Sequence, residues 1–139
     1  AGGVVSSIIF ALKKMNVSSI TISNRTKEKA ENLKNIFKDR EITNWGNIPD
    51  FDLIINATSV GLKKDDKISL DLSKINKGKF FYDVIYNPKE TNFLKEAKKL
   101  GNEIENGKKM FIYQAAAAFE LWHKIKPEID ENVNALLDD

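Results

Sequence analysis

Two stretches of this chain carry residue types whose spacing suits phosphate chemistry. Ala1-Gly2-Gly3-Val4-Val5-Ser6-Ser7 is a glycine turn running straight into an apolar helix. Ser23-Asn24-Arg25-Thr26 follows about twenty residues on, after a short β-type run. Glycines let a backbone approach a pyrophosphate, and the helix behind them aims unpaired N–H groups at it. The second stretch stands where a dinucleotide-binding unit reads the adenosine ribose. An Asp or Glu there would accept hydrogen bonds from a bare 2′-hydroxyl. This chain has Arg25 instead, between Asn24 and Thr26, with Lys29 one helical turn later. A guanidinium fork and an ammonium suit a 2′-phosphate, so the pair of stretches reads as an NADP site. Each alone has a plainer reading: a Gly-Gly before a helix is an ordinary turn, and Asn24-Arg25-Thr26 is a solvated loop with Thr26 capping the next helix. Their spacing, each at a strand-to-helix junction, favours the nucleotide.

Further along, Asn56-Ala57-Thr58-Ser59-Val60-Gly61-Leu62 follows an apolar run. Its small and hydroxyl residues let a backbone approach a ligand at the carboxyl end of a strand; alone it is also a plain strand-to-helix turn. Tyr82-Asp83-Val84-Ile85-Tyr86-Asn87-Pro88 closes the next strand and puts Tyr86 at the same rim, where packing is the simpler role. Gly107-Lys108-Lys109-Met110 leads to Gln114 and the run Ala115 to Ala118, whose small side chains leave room for a substrate or face water. The sole histidine, His123, follows Trp122 on a late helix and reads as a packing or surface residue, not a proton relay. No His/Cys cluster supports a metal site.

The elements that must position these residues follow from periodicity. Val5, Ile8, Ile9, Leu12 and Met15 recur at helical spacing and predict a helix ending near Asn16. Residues 20–22 are a β-branched strand. Ala30, Leu33, Ile36 and Phe37 mark a second amphipathic helix from Thr26, and 41–43 a weak strand. Residues 46–50 are a loop broken by Pro49. Residues 51–56 read as a buried parallel strand, 57–62 as a loop and 63–79 as an irregular polar segment. Residues 80–86 form the next strand, 91–100 a helix, 103–105 a short strand and 110–126 a long Ala-rich helix. After Pro127 a last amphipathic helix runs through Ile129, Val133, Leu136 and Leu137.

Strands alternating with helices predict an α/β fold: a Rossmann-type, doubly wound, mostly parallel sheet with helices on both faces. A glycine turn of this kind follows a central strand, and none precedes Ala1. The expectation is a fragment of a longer polypeptide whose first strand is missing. The 139 residues make one domain, with 42% hydrophobic and 30% charged residues, ordinary values for a soluble protein. A net charge of +2 with interspersed signs argues against nucleic acid. There are no cysteines, no signal peptide and no membrane span, so the default residence is cytoplasmic.

Taken together, the truncated glycine turn, Asn24-Arg25-Thr26 with Lys29, the 56–61 loop, Tyr82 to Pro88, and Gln114-Ala115-Ala116-Ala117-Ala118-Phe119-Glu120-Leu121-Trp122 resemble the NADP-binding domain of shikimate dehydrogenases. The resemblance covers essentially the whole chain, and the last two motifs are its most specific part. It implies an oxidoreductase that reduces 3-dehydroshikimate to shikimate with NADPH, in the pathway to aromatic amino acids. It implies two lobes. Residues 1–139 would be the NADP lobe, with the C-terminal helices, 107–139, closing against an N-terminal substrate lobe absent from this chain. The catalytic Lys and Asp would lie in that lobe, leaving no catalytic residue here. Ala1, Gly2, Gly3 and Val4 would lie at the pyrophosphate, and Asn24, Arg25, Thr26 and Lys29 at the 2′-phosphate. Thr58 would also serve the cofactor, Val84 and Gly107 would approach the nicotinamide, and Tyr86 and Gln114 would touch substrate. Lys108 and Lys109 replace the family's Leu-Gly after Gly107, which leaves close backbone packing near the nicotinamide an open question. Ser6 replaces a frequent Arg or Lys. A quinate/shikimate dehydrogenase with relaxed cofactor choice and a non-catalytic nucleotide-binding fragment are the alternatives.

Overall fold

The computed structural model describes residues 2–38 and 40–137. Its elements run α1 (Gly3–Lys14), β1 (Thr21–Ser23), α2 (Lys27–Ile36), β2 (Glu41–Thr43), β3 (Leu53–Asn56), β4 (Phe80–Asp83), α3 (Asn92–Lys99), β5 (Glu103–Glu105), α4 (Lys108–His123) and α5 (Glu131–Ala135). Every pairing among these strands is parallel, as the strand–helix alternation requires. The strands form two sheets, β1-β2 and β3-β4-β5, where the alternation predicts one. A doubly wound order sets the strand ahead of the glycine turn between the strands that here are β1 and β3. Among the described residues no strand precedes α1, so β1 and β3 have no common partner. The chain correspondingly divides into two compact units.

The first unit holds the residues up to Asp52 together with Ser69–Ile75. Ile9 of α1, Ile22 of β1 and Ala30 and Leu33 of α2 are its buried cluster, with Val5, Ile20, Phe37 and Ile42 packed around them. Ala30 and Leu33 lie three residues apart, one turn of α2, which turns its apolar stripe inward. Ile36, expected on that stripe, is 68% exposed, because α2 ends there and the half-buried Phe37 takes the core position. α1 stops at Lys14, just before Asn16 takes a left-handed φ of 56°. Ser23 and Thr43 close the two strands in register.

The second unit holds Leu53–Ile68 and the residues from Asn76 onward. β3 starts at Leu53, later than the apolar run predicts, and Leu53 is exposed; Asn56 is its buried residue. β4 is the centre of its sheet, flanked by β3 and β5. Phe81 is fully buried there against Phe93 of α3, with ring centroids 5.3 Å apart. Burying such a side chain contributes about 1.5–3 kcal/mol. α3 lies against β4 and β5 through Phe93, Leu94 and Ala97, and Thr91 caps it by accepting from the Leu94 N–H. β4 ends at Asp83, short of the predicted Tyr86, because the Asp83 carboxylate accepts from the Ile85 N–H and turns the chain. The Asn87–Pro88 peptide that follows is cis. α4 starts two residues before the predicted Met110 and ends at His123, where Lys124 takes a left-handed φ of 58°. Ile112 is the buried residue of α4; Tyr113, Leu121 and Trp122 are exposed. The last helix is only five residues long, capped by Asp130 on the Val133 N–H.

Candidate functional site

The sequence-predicted residues fall into two sets, one in each unit. In the first, Gly2 is the N-cap of α1 and Val4 sits half-buried in its first turn. Ala1 lies outside the described residues. Gly2 has extended backbone at φ −95°, open to any residue, and a Cβ added at Gly2 or Gly3 would meet nothing within 4 Å. The backbone therefore does not require these glycines, and the space before them is open. No side chain caps α1 and no acidic residue stands in its first turn, leaving N–H groups and a positive dipole end for an anion.

At the carboxyl end of β1, the Asn24 amide donates to the Thr26 carbonyl at 2.8 Å and fixes the turn into α2. Thr26 is the N-cap of α2, as the solvated-loop reading expects, but its side chain makes no capping bond. Arg25 and Lys29 are exposed, and neither is in an ion pair among the described residues. The Lys29 N–H bonds the Thr26 carbonyl at 3.1 Å, so Lys29 belongs to the same first turn. Ser6 is half-buried. Two cations thus project beside the turn that Asn24 holds, with no carboxylate partner among the described residues.

The second set surrounds the carboxyl ends of β3 and β4. Asn56 and Asp83, the last residues of the two strands, are register partners, and both are buried. The Asn56 amide donates to Asp83 Oδ2 at 3.1 Å and to the Val60 carbonyl at 3.1 Å. Its oxygen accepts from the Thr58 N–H at 3.1 Å and the Thr58 hydroxyl at 2.8 Å. Thr58 Oγ1 in turn accepts from the Val60 N–H at 3.0 Å. Asp83 also accepts from the Thr91 hydroxyl at 2.7 Å and the Ile85 N–H at 3.0 Å. Burial pushes the Asp83 carboxyl above its ordinary 3.8, against the opposing pull of the Thr91, Ile85 and Asn56 bonds. The hydroxyl of Thr58, a residue expected to serve the cofactor, has its proton in this network. One lone pair and its backbone carbonyl remain for a ligand.

Val84 and Gly107 come together. The Gly107 N–H bonds the Ile85 carbonyl at 3.1 Å, and a Cβ at Gly107 would lie 2.0 Å from the Val84 carbonyl oxygen. The close approach at Gly107 is kept beside Lys108 and Lys109. The Lys108 N–H bonds the Asn106 side chain, and Lys109 reaches back to Glu105 at 3.3 Å. Tyr86 is half-buried and stacks on Phe111 of α4, centroids 4.7 Å apart. Gln114 is exposed one turn beyond Phe111. His123 packs on Phe119 at 4.4 Å in the last turn of α4, among exposed residues. No group of three His, Cys, Asp or Glu among the described residues could hold a metal, and no described helix is long and apolar enough to cross a membrane.

Sequence reasoning missed Asn56, Asp83, Thr91 and Phe111 as members of this constellation. The available signal was two polar residues, Asn56 and Asp83, ending two otherwise apolar strands.

The parallel strands with helices between them, and loops at the strands' carboxyl ends, define a Rossmann-type α/β domain. A family model described as the shikimate 5′-dehydrogenase C-terminal domain matches residues 109–137. The shikimate dehydrogenase (NADP(+)) of Pelagibacter ubique is 62% identical over 138 residues, covering 99% of this chain and 52% of that protein. That of Methanococcus aeolicus is 41% identical, covering 99% of this chain and 52% of that protein. The chain is similar to the C-terminal domain of shikimate dehydrogenases and spans about half the length of the curated relatives it matches. Among solved structures, a shikimate dehydrogenase in complex with NADP+ has a TM-score of 0.74 at 34% identity, covering 87% of this chain and 46% of that one. A ligand-free 5-ketofructose reductase of Gluconobacter sp. has a TM-score of 0.85 at 32% identity, covering 98% and 52%. A quinate dehydrogenase from Corynebacterium glutamicum in complex with NAD has a TM-score of 0.78 at 29% identity, covering 92% and 49%.

Proposed function

We propose that residues 1–139 are the NADP(H)-binding domain of a cytoplasmic shikimate dehydrogenase. The whole enzyme interconverts 3-dehydroshikimate and shikimate, in the route to aromatic amino acids. The observation that carries this reading is the basic pair: Arg25 and Lys29 stand exposed after β1, without an acidic residue where a ribose 2′-hydroxyl would need one. The open glycine turn and uncapped α1 fit a pyrophosphate. In this reading Ala1, Gly2, Gly3 and Val4 serve the pyrophosphate, and Asn24 holds the turn from which Arg25, Thr26 and Lys29 grip the 2′-phosphate. Thr58, Val84 and Gly107 shape the nicotinamide end. Tyr86, braced by Phe111, and Gln114 touch the substrate. The cofactor, when bound, supplies or takes the hydride. This chain orients the reactants, and the acid–base Lys and Asp come from an N-terminal lobe against which the helices of 107–139 close.

The test is Arg25→Ala in the full-length enzyme. Hydrogen bonds to a charged group contribute about 1.5–3 kcal/mol each, so NADP affinity should fall about 10- to 150-fold while NAD affinity holds. Equal losses for both cofactors would remove the 2′-phosphate role. A quinate-active enzyme is the second reading, favoured by the likeness to the quinate dehydrogenase. Comparing kcat/KM for quinate and shikimate separates the two.

A further inference from the structure

The buried network at the ends of β3 and β4 does more than close a sheet. Asp83 is one carboxylate accepting three bonds from three separate segments: Asn56 at the end of β3, Ile85 in the turn after β4, and Thr91 at the cap of α3. Through Asn56 it reaches Thr58, whose N–H and hydroxyl both bond the Asn56 oxygen. Through Ile85 it sets the turn whose Val84 carbonyl faces Gly107 and whose Ile85 carbonyl receives the Gly107 N–H. Ligands of open α/β sheets bind outside the carboxyl ends of the strands, which is where both branches emerge. We propose that Asp83 is a positioning residue for the nicotinamide end of the site: held by Asn56 and Thr91, it fixes the Thr58 loop and the Val84–Gly107 contact together.

Stability alone is a poor explanation for this arrangement. A buried carboxylate disfavours the fold relative to a neutral group of the same shape unless its bonds outweigh desolvation. Here burial prevails, and the carboxyl is pushed up despite three donors. The geometry also demands a carboxylate. All three neighbours donate to it, so an amide at position 83 must set a donor against a donor, either Ile85 N–H or the Asn56 amide. That clash should be relieved by exchanging the two side chains. A carboxylate at position 56 then accepts from the amide at 83 and still accepts from Thr58, although it can no longer donate to the Val60 carbonyl.

The proposal rests on the NADP reading, and the experiment separates the two. In the full-length enzyme, NADPH affinity by fluorescence titration, kcat, shikimate KM and the thermal midpoint are measured for wild type, Asp83→Asn, Thr91→Val and the exchange Asn56→Asp/Asp83→Asn. A wild type that neither binds NADPH nor oxidises shikimate defeats the functional reading before any variant is considered. Given an active wild type, Asp83→Asn should weaken NADPH binding and lower kcat by about tenfold or more, with shikimate KM within about threefold, as expected for lost bonds to a charged acceptor. The exchange should recover part of the NADPH affinity lost in Asp83→Asn, the remainder reflecting the Val60 carbonyl left without its donor. Thr91→Val, which removes one donor without a clash, should show the same pattern more weakly and covers the case in which Asp83→Asn does not fold. Variants that only melt earlier, with NADPH affinity and kcat intact below their midpoints, would overturn the proposal. So would an exchange that recovers nothing.

Discussion

Gly107 and Gly3 are both glycines of the candidate site, yet the structure gives them opposite physics. A methyl group at Gly107 would lie 2.0 Å from the Val84 carbonyl oxygen and 2.5 Å from its carbon. Carbon and oxygen settle at about 3.3 Å, so the α4 start and the β4 exit must part by roughly 1 Å. Overpacking of that kind costs about 1–3 kcal/mol, and the Gly107 N–H bond to Ile85 contributes a further ~0.5–1.5 kcal/mol that the shift endangers. Gly107→Ala should therefore lose about 2–4 kcal/mol. At about 2–3 °C per kcal/mol for a full-length protein about twice this size, the melting midpoint falls by about 4–12 °C. Gly3→Ala meets nothing within 4 Å in a helical position. It should leave stability unchanged or raise it by about 0.4–1 kcal/mol. NADP affinity should still fall about tenfold, because the methyl occupies the space a pyrophosphate would need. Both variants are read in the full-length protein by differential scanning calorimetry and cofactor titration. A Gly107→Ala midpoint within about 2 °C of wild type would refute the packing argument. Undiminished NADP affinity in Gly3→Ala would refute the pyrophosphate assignment.

Tyr86→Phe and Gln114→Ala in the full-length enzyme should raise shikimate KM or lower kcat while leaving NADP affinity alone; steady-state kinetics with wild-type constants in both would remove them from the substrate site. The isolated 139-residue chain should give no shikimate-dependent NADPH formation, since positioning lowers a barrier only when both reactants and the proton relay are held together. A carboxyl-carbon NMR titration should put Asp83 above 3.8, from burial, and Asp66 below it, from the Lys63 and Gly61 N–H groups. The signs then differ. The fold binds the Asp83 proton before the unfolded chain does, so this group's contribution to stability grows as pH falls through its raised value toward 3.8. The Asp66 contribution is present above 3.8 and is lost as pH falls through its lowered value.

The apolar runs made β3 and β4 legible, and helical spacing found the α1–α2 face through Ile9, Ala30 and Leu33. What the runs could not show was where they stop. β4 ends at Asp83 because a side chain captures the Ile85 N–H, an event invisible to periodicity. Ile36 and Met15 match the helical stripe in sequence but sit at helix ends, where the stripe has nothing left to cover. The nucleotide set was readable because charge type and spacing carry its chemistry. The Asn56–Asp83–Thr91 network was not, since its partners lie 27 and 8 positions apart and meet only once the sheet register is fixed.

α4 has a consequence for exchange of its backbone hydrogens with solvent. Its single buried residue, Ile112, lies in the second turn, and the remaining turns carry Tyr113, Leu121 and Trp122 into water. Residues 115–118 are all alanine, the best helix former, so the C-terminal half is helical by local preference more than by packing. Its amides should exchange by fraying from His123 backwards, far faster than those of β4, which open only with the sheet around Phe81. A covering lobe in the full-length protein would appear as slowed exchange from Ala115 to His123, a residue-by-residue footprint of what lies over this helix.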